Sequence, residues 1–509
     1  MRLALTRQGV IAAEQLAVES LGIGLAELME RAGQAVVAEV LARAAAGSVV
    51  VFCGAGNNGG DGWVASRLLH EAGREVVVVT ASEPGRVGGI AGDAALAAVE
   101  SGVPWIVAPD RLPEGILDGR TVVIDAIFGI GFRTRPVAPP YDSWIVAINS
   151  HDALVISVDI VSGLDADTGQ VSTPAVNAAV TVALIAPKVG SMLYPGADLS
   201  GEVAVRDIGV SGLESRSLGG LELWDREEYR TLLPKFGPTT HKKSRGRVLI
   251  VAGSGAYAGA AILTAMGAQR SGAGYVSLVV PRSIAPIAQG RLPSVVVMPA
   301  EEEAPQVFSA GASIAIAGMA LDFDAVVMGP GMTREPGAEA LVRQLIETLD
   351  APVVLDADGI NAIVGQLHLF LNRQAPTIIT PHAGELARLV GVTSEEVQSD
   401  RVRYATRLAG PHLCCAFKGA RTLIAGEGRL ALNLPGGVEL ATAGTGDVLA
   451  GIIGTFLAQG LSPMNAAALG AFVHGFAAER AAAAMTNRCV IAEDIPDFLP
   501  EAFRYLLGE

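Results

Sequence analysis

Three features of the sequence predict an α/β protein with two domains. Short strands rich in Val, Ile and Leu alternate with Ala-rich helical patterns from one end to the other, which is typical of parallel α/β architecture. A chain of 509 residues is too long for one hydrophobic core. The alternation pauses once, in the Gly- and Ser-rich stretch at 209–225. We therefore place a boundary near residue 218 and predict domains at 1–218 and 222–509.

The composition narrows the class of protein. Half of the residues are hydrophobic and 17% are charged, which indicates a globular chain. The net charge of −15 and the pI near 5.0 argue against a nucleic-acid partner. The start, MRLALTRQGV, has no apolar segment of a signal peptide, and no uncharged apolar run of about 18 residues occurs. We predict a cytoplasmic protein without a membrane partner.

The strand patterns fall into two series, one in each predicted domain. The first series lies at 48–53, 74–80, 120–125, 153–159, 178–185 and 201–208. The second lies at 246–253, 274–280, 324–330, 352–358, 376–382, 412–419 and 421–426. Within the second, adjacent Cys414 and Cys415 are predicted to be buried strand residues, because the four cysteines have no metal-ligand spacing.

The first glycine-rich loop, Gly54 to Gly59, raises an electrostatic question. It matches G-x-G-x-x-G between a strand and a helical pattern, where a dinucleotide phosphate binds at a helix N-terminus. Asp61 follows directly, and a carboxylate about 5 Å from a phosphate costs roughly 3 kcal/mol. The helix N-terminus returns only about 1 kcal/mol. Asp61 must therefore turn away as an N-cap, or a cation must lie between the two charges.

Polar residues follow three strands of the first domain, and these strand ends meet at one edge of a parallel sheet. Their oxygens would suit a hard cation. The same residues also fit turn and cap positions without any ligand. Glu83, near the position of a ribose-binding acid, leaves a nicotinamide dehydrogenase open. The residues that follow these strands are Asn57, Asn58 and Asp61, then Asp125, Arg133 and Arg135, then Asp159, Ser162 and Asp165.

Four segments of the first domain resemble the NAD(P)H-hydrate epimerase family over residues 10 to 210. They are AAEQLAVESLGIGLAELMERAG, GAGNNGGDGWVASRLL, DAIFGIG with Arg135, and VDIVSGLDADTG. The resemblance implies a Rossmann-like three-layer αβα sandwich that interconverts the R and S hydrates of NADH or NADPH at C6. It implies K⁺ ligation by Asn58, Asp125 and Ser162. It implies substrate contacts at Asn57, Asn58, Gly59, Gly60, Asp61, Gly129, Ile130, Gly131, Phe132, Arg133, Thr134, Arg135 and Asp159. Epimerisation requires proton transfer, and Asp159 is the predicted catalytic carboxylate.

The second domain contains a glycine turn, Thr442 to Gly446, that opens into an apolar helical pattern. Free backbone N–H groups there would hold a phosphoryl group. Asp447, in the first helical turn, is placed to take a proton from an acceptor hydroxyl, although an aspartate there can also simply cap the helix. Lys418 in a turn between strands would meet a nucleotide phosphate or lie on the surface. His382 is as consistent with a helix cap as with a ligand contact.

These elements resemble the ribokinase-like fold, and six segments between residues 225 and 505 resemble the ADP-dependent NAD(P)H-hydrate dehydratase. The segments are GSGAYAGA, MGPGM, LDADGIN, PHAGEL, FKGART and TAGTGDVLAG. The resemblance implies a ribokinase-like αβα domain that removes water from the S hydrate while ADP becomes AMP and phosphate. Asp447 would be catalytic, and Mg²⁺ is expected on the ADP. The implied substrate contacts are Ala260, Gly331, His382 and Asp447, and the nucleotide contacts are Lys418, Gly419, Ala420, Arg421, Thr422 and Gly446.

Two motif sets for consecutive steps in one chain predict a bifunctional nicotinamide-nucleotide repair enzyme, with NADH and NADPH hydrates and ADP as its small-molecule partners. The alternatives are a ribokinase-like kinase of a small vitamin alcohol fused to a nucleotide-binding regulator, and a nucleotide-sensing module without activity. Apolar helices near the N-terminus predict self-association into a homo-oligomer.

Overall fold

The structure is a computed structural model that describes residues 2–107, 112–113, 115–118, 121–210, 218–303 and 306–509. Its contacts divide the chain into an N-terminal unit, residues 2–221, and a C-terminal unit, residues 222–509. The Gly- and Ser-rich stretch that carries the predicted boundary lies partly outside the described residues, at 211–217, as does residue 120 of a predicted strand.

The N-terminal unit is built on a seven-stranded sheet in which every neighbouring pair is parallel. The strand order is β4-β3-β2-β5-β6-β7-β8, so the chain reverses its direction of travel across the sheet between β2 and β5. The strands are β1 (Arg2–Leu5, outside this sheet), β2 (Val49–Cys53), β3 (Val76–Thr80), β4 (Trp105–Val107), β5 (Val122–Ala126), β6 (Leu154–Val158), β7 (Val180–Leu184) and β8 (Glu202–Arg206).

Helices cover both faces of this sheet. Alternate side chains of β2 point to opposite faces, so Val49 and Val51 join one buried cluster and Val50 and Phe52 another. The first cluster includes residues of α1 to α4, and the second includes Trp144 of α5. The helices are α1 (Arg7–Leu21), α2 (Leu25–Arg43), α3 (Asn57–Glu71), α4 (Gly89–Glu100), α5 (Tyr141–Asn149), α6 (Val189–Met192) and α7 (Gly196–Leu199). The result is a three-layer αβα sandwich.

The C-terminal unit has a larger, mostly parallel sheet. Its order is β9-β18-β17-β16-β15-β14-β13-β10-β11-β12, and only β16, β17 and β18 form antiparallel neighbours. The direction of travel reverses between β10 and β13. The strands are β9 (Gly220–Leu223), β10 (Arg247–Val251), β11 (Tyr275–Pro281), β12 (Val296–Ala300), β13 (Ala325–Met328), β14 (Val353–Leu355), β15 (Thr377–Ile379), β16 (Leu413–Phe417), β17 (Leu423–Gly426) and β18 (Arg429–Leu432).

Apolar helices pack on this sheet, and α18 and α19 supply much of the main buried cluster. Val248 and Ile250 of β10 point into that cluster, while Leu249 and Val251 are equally buried on the other face. The helices are α8 (Arg226–Leu232), α9 (Ala258–Arg270), α10 (Ala285–Arg291), α11 (Ser313–Ala320), α12 (Pro336–Thr348), α13 (Asp358–Ala362), α14 (His368–Leu371), α15 (Ala383–Val390), α16 (Ser394–Ser399), α17 (Arg401–Arg407), α18 (Thr445–Ala458), α19 (Pro463–Met485) and α20 (Ile495–Leu507).

The predicted α/β class with parallel sheets in both halves is confirmed. Each predicted strand core is present, and Cys414 and Cys415 are fully buried in β16, as expected. The sequence patterns missed β1, β4, β9, β12 and β18, which are short or carry exposed residues. In the described part of the chain no single helix is long and apolar enough to cross a membrane; α1 and α2, bent by 117°, pass that test only as a pair.

Candidate active sites

The N-terminal unit contains a cavity of about 550 Å³ at the carboxyl ends of its strands. It lies at β2 and β5, where the strand order reverses, which is the expected ligand position in an open parallel sheet. Nine of the predicted contact residues line it: Asn57, Asn58, Asp61, Gly129, Ile130, Gly131, Phe132, Arg135 and Asp159. Residues of α1 and α2, among them Glu14 and Met29, close the opposite side.

The remaining predicted contacts, Gly59, Gly60, Arg133 and Thr134, are not among the lining residues. Gly59 is a packing position, because a Cβ there would lie 1.9 Å from the carbonyl oxygen of Gly54. Arg133 forms ion pairs with Asp165 and Asp167, at 3.4 and 3.1 Å. The glycine loop therefore uses some of its motif to fix the backbone rather than to face the cavity.

Asp125, at the end of β5, is fully buried and bonded on both oxygens. Its Oδ1 accepts from Ser162 Oγ at 2.5 Å and from the Ile127 amide at 3.3 Å. Its Oδ2 accepts from Ser157 Oγ at 2.8 Å and from the Ser162 amide at 3.0 Å. Burial raises the pKa of Asp125, and these hydrogen bonds oppose that rise. Ser157 was missed by the sequence analysis, although it follows directly from the parallel pairing of Asp125 with that residue.

Asn58 and Ser162 meet at the carbonyl group of Phe128. Asn58 Nδ2 donates to Phe128 O at 3.1 Å, and Ser162 Oγ lies 3.4 Å from the same oxygen. The Phe128 amide donates to Ser162 Oγ at 2.9 Å. Two of the three residues predicted to hold K⁺, Asn58 and Ser162, are thus brought together around one backbone carbonyl, and the third, Asp125, is bonded to Ser162.

Asp159 follows β6 with a positive φ of 66°, which places a non-glycine residue in the left-handed region at a cost of about 1–3 kcal/mol. Its Oδ1 accepts from the Leu184 amide at 3.0 Å and from the ammonium group of Lys188. Lys188 is fully buried and also donates to the carbonyl oxygens of Leu184 and Ala186. The sequence analysis missed Lys188; its only signal is a lysine that follows a predicted strand.

Asp61 is the fifth residue of α3, and Gly56 is the N-cap of that helix. The N-cap alternative for Asp61 is therefore excluded: three further helical residues lie between Asn57 and this carboxyl group. Burial raises the pKa of Asp61 well above its usual range, with a further rise from the negative charges of Asp159 and Glu14 and an opposing effect of Lys188. Glu83 lies away from the cavity as an exposed partner of Arg86, so nothing in the geometry favours the dehydrogenase interpretation.

In the C-terminal unit, the loops after β10 and β13 meet at the point where the strand order reverses. The Gly253 amide donates to Pro330 O at 2.8 Å. Gly331 has a φ of 63°, and a Cβ there would lie 2.9 Å from the Cβ of Ala260. The two predicted substrate contacts Ala260 and Gly331 are therefore neighbours.

A buried acid that directly follows β14 is bonded to residues that follow the next two strands. Asp356 accepts from Lys418 Nζ at 2.6 Å and from Thr380 Oγ1 at 2.7 Å. A Cβ added to Gly446 would lie 3.3 Å from Lys418 Nζ. The predicted nucleotide contacts Lys418 and Gly446 are thus adjacent, and the hydrogen bond to Asp356 fixes the position of the Lys418 ammonium group. The sequence analysis quoted the LDADGIN segment but gave Asp356 no role.

Asp447 is the third residue of α18, whose N-cap is Gly444 in the left-handed conformation. No side-chain hydrogen bond caps this helix, so Asp447 does not act as a cap. Burial raises the pKa of Asp447 to about 7, with further increases from Asp356, Asp358 and Glu385, while the positive charge of Lys418 lowers it. A carboxyl group that titrates near neutrality is suited to take up a proton.

His382 is the N-cap of α15. Its Nδ1 accepts from the amides of Gly384 and Glu385, and Glu385 returns a bond to the His382 amide at 2.8 Å. The cap interpretation is confirmed, and the imidazole remains half exposed beside the site. Partial burial and the positive charges of Lys418 and Arg388 lower the pKa of His382, so the ring is neutral at pH 7.

The other predicted nucleotide contacts form the turn after β16, which is held from behind by buried Arg401. Its guanidinium donates to the carbonyl oxygens of Ala420 and Arg421 at 2.8 and 3.1 Å and stacks 4.8 Å from the ring centroid of Phe417. A Cβ on Gly419 would lie 3.0 Å from this guanidinium, and the Thr422 carbonyl accepts from the Asn433 amide. The sequence analysis missed Arg401, which lies upstream on α17.

The chain therefore has two α/β units, and each has a candidate ligand site with an aspartate in the first turns of a helix whose N-cap is glycine. Two family models match it: one described as YjeF-related protein N-terminus at residues 25–190, and one described as NAD(P)H-hydrate dehydratase at residues 248–501.

Relatives match over nearly the whole chain. The bifunctional NAD(P)H-hydrate repair enzyme of Thermofilum pendens is 38% identical and covers 96% of this chain and 94% of its own length. That of Moorella thermoacetica is 36% identical, with coverage of 97% and 93%. The ADP/ATP-dependent NAD(P)H-hydrate dehydratase of Bacillus subtilis, co-crystallised with ATP and Mg²⁺, is 29% identical with a TM-score of 0.48, covering 56% of this chain and 99% of its own. The chain belongs to the bifunctional NAD(P)H-hydrate repair enzyme family.

Proposed function

We propose that this chain repairs hydrated NADH and NADPH in two steps. The N-terminal unit interconverts the R and S hydrates at C6, and the C-terminal unit removes water from the S hydrate as ADP becomes AMP and phosphate. The observation that carries the proposal is the partly buried Asp447, next to the Lys418–Asp356 pair at the start of α18. Full-length relatives that are repair enzymes favour this function over the vitamin-alcohol kinase.

The dehydration needs a better leaving group than hydroxide. Asp447 takes the proton of the C6 hydroxyl group. The hydroxyl oxygen attacks the terminal phosphorus of ADP, and the bond between that phosphorus and AMP breaks. The amides of Gly444 to Gly446 and the ammonium of Lys418 stabilise the transferred charge. Phosphate then leaves C6 with the bonding electrons, the N1 lone pair compensates, and loss of a proton from C5 restores the ring double bond.

The two sides of the C-terminal site serve the two reactants. Ala260, Gly331 and His382 contact the hydrated nicotinamide, while Lys418 to Thr422 and Gly446 contact the nucleotide. Among the described residues, no group of three His, Cys, Asp or Glu side chains is placed to hold a metal ion. Mg²⁺ would therefore be held chiefly by the ADP phosphates, where it would neutralise negative charge.

The residues of the N-terminal unit fit a monovalent cation. Ser162 Oγ and Phe128 O lie close together beside Asn58, and Asp125 adds one negative charge behind them. Oxygen ligands with a low net charge suit K⁺. We assign the ion to Asn58, Asp125 and Ser162; when bound it would offset the phosphate charge near the helix start. Asp159, which lines the cavity and is bonded to Lys188, transfers the proton that epimerisation at C6 requires.

The test is to incubate the purified chain with a mixture of both hydrate epimers and with ADP, ATP or neither. Recovery of the whole mixture as reduced nicotinamide, with release of free phosphate, is expected with ADP. The Asp125→Ala variant should recover only the S fraction, because the R fraction can then react only through its slow uncatalysed inversion. A stable phosphorylated product and no reduced nicotinamide would support the kinase instead.

A further inference from the structure

Asp61 is a buried acid that the glycine loop alone does not explain. It is 9% exposed, it lines the N-terminal cavity, and no donor among the described residues bonds to its carboxyl group. Asp125, which is also buried, accepts hydrogen bonds from four donors. An ionised carboxylate without donors is expensive to bury, so the environment of Asp61 favours a proton on its oxygen.

The sequence around Asp61 forces it into this position. A Cβ on Gly60 would lie 2.6 Å from Met29 Cε, and one on Gly62 would lie 2.6 Å from Ala126 Cβ and 2.9 Å from Cys53 Sγ. Glycines on either side therefore let α3 press against α2 and the strand ends. The side chain between them points into the cavity with Asn57 and Asn58, one helical turn away.

We propose that Asp61 is a second catalytic residue of the epimerase, which gives a proton to the C6 hydroxyl of the hydrate while Asp159 accepts one on the other face of the ring. This inference rests on the proposed epimerase function and extends it. It also answers the electrostatic question of the loop, since a protonated Asp61 does not repel a phosphate.

The step balances without an external reagent. Asp61 transfers its proton to the C6 hydroxyl, the C6–O bond breaks, and its electron pair leaves with the oxygen as water. The N1 lone pair forms an N1=C6 double bond, so the ring carbon becomes planar. Water then adds to the opposite face of C6 and gives its proton to Asp159. The reverse direction uses the same residues with exchanged roles, so each epimer is recognised by one protonation state of the pair.

The groups that face Asp61 support this division. Glu14 of α1 and Asp159 after β6 add negative charge, Lys188 adds positive charge, and the Cys53 thiol of β2 stays neutral because burial raises its pKa well above its usual range. Lys188 contacts Asp159 directly, so the cation stabilises that carboxylate and leaves the proton with Asp61. The rate of inversion should therefore fall at high pH, as Asp61 ionises.

The first test measures inversion of the isolated S hydrate by the full chain without nucleotide, so that the C-terminal unit is idle. Asp61→Asn should lower the inversion rate at least about 100-fold, because an amide donates a hydrogen bond but cannot transfer a proton. It should also lose the decline at high pH. Asp93→Asn, an exposed acid of the same unit, is the matched control and should retain the wild-type rate. An Asp61→Asn variant with the wild-type rate would overturn the role.

The second test does not depend on a variant that folds. Inversion by the wild-type chain in water enriched in ¹⁸O should place one solvent oxygen at C6 for each turnover. Infrared difference spectra should show the carbonyl stretch of a protonated carboxyl group, which Asp61→Asn removes and Asp93→Asn retains. Inversion without ¹⁸O uptake would reject the step while leaving the epimerase function intact. No inversion by the wild-type chain would instead reject the proposed function itself.

Discussion

Both units place an aspartate just inside a helix that starts at a glycine turn, yet the two carboxyl groups have different surroundings. Asp447 lies beside Lys418, and its pKa rises only to about 7. Burial raises the pKa of Asp61 well above its usual range, two other acids raise it further, and the nearby ammonium of Lys188, which opposes the rise, is bonded to one of them. The comparison teaches that burial raises both pKa values and that a lysine opposes each rise, but the lysine lies beside Asp447 in one site and is bonded to Asp159 in the other.

The largest expected effect separates the two sites. Asp447→Asn should lower dehydration of the S hydrate by at least about 100-fold, because an amide cannot accept the hydroxyl proton. Binding of ADP should persist, and inversion of the hydrates should continue at the wild-type rate. Phosphate release measures the first reaction, calorimetry the binding, and chromatographic separation of the epimers the second reaction. Loss of ADP binding together with turnover would mean that Asp447 has a structural role.

A second pair of variants tests the control of the Asp447 proton. The dehydration rate should rise with pH through about 7, because a pKa raised to that value leaves the base protonated below it. Lys418→Met removes a positive charge and should shift this rise to higher pH. Asp356→Asn removes a negative charge and should shift it to lower pH. Both variants should also be slower, since Lys418 lies beside the amides that stabilise the transferred phosphoryl group and Asp356 bonds to this lysine. The directions of the two shifts, and not the rates, therefore test the electrostatic account.

The dependence on pH is read from kcat against pH for the full chain with saturating ADP. The exposed Asp322→Asn variant, on the same unit, provides the matched control and should leave the profile in place. Shifts of the same sign in Lys418→Met and Asp356→Asn would contradict the electrostatic account.

The glycines at the start of α3 differ in what they do. Gly62→Ala places a methyl group 2.6 Å from Ala126 Cβ, between α3 and the sheet, and should lower the free energy of unfolding by about 1–3 kcal/mol. Gly56→Ala meets no atom within 4 Å and should have little effect. Denaturant unfolding of the N-terminal unit, followed by Trp63 fluorescence, measures both. Equal stability of the two variants would show that α3 can move away from the strands.

The sequence was sufficient for the α/β class and the buried strands, because these depend on local patterns. It also predicted nine residues that line the N-terminal cavity, because a parallel sheet brings the ends of its strands together. Interactions between distant segments were not predictable. Lys188 meets Asp159 through a loop after β7, and Arg401 holds the 418–422 turn from α17. The edge strands β4 and β12 were missed although their sequences, WIV and VVMPA, are apolar. The sequence left the cap alternative for Asp61 open because local propensity does not show where the helix begins.

The smallest expected effect concerns stability and comes from Asp61 again. A carboxyl group whose pKa is raised in the folded state binds its proton more tightly there than in the unfolded chain. Stability therefore falls as pH rises from the unfolded pKa towards the folded one. Asp61→Asn removes this penalty, so the variant should gain stability over the wild type at pH 8 and much less at pH 4. Asp125→Asn should lose stability at both, because its four hydrogen bonds need two acceptor oxygens. Unfolding of the N-terminal unit at the two pH values measures this difference, and a gain by both variants would mean that burial alone, and not the number of donors, governs the two acids.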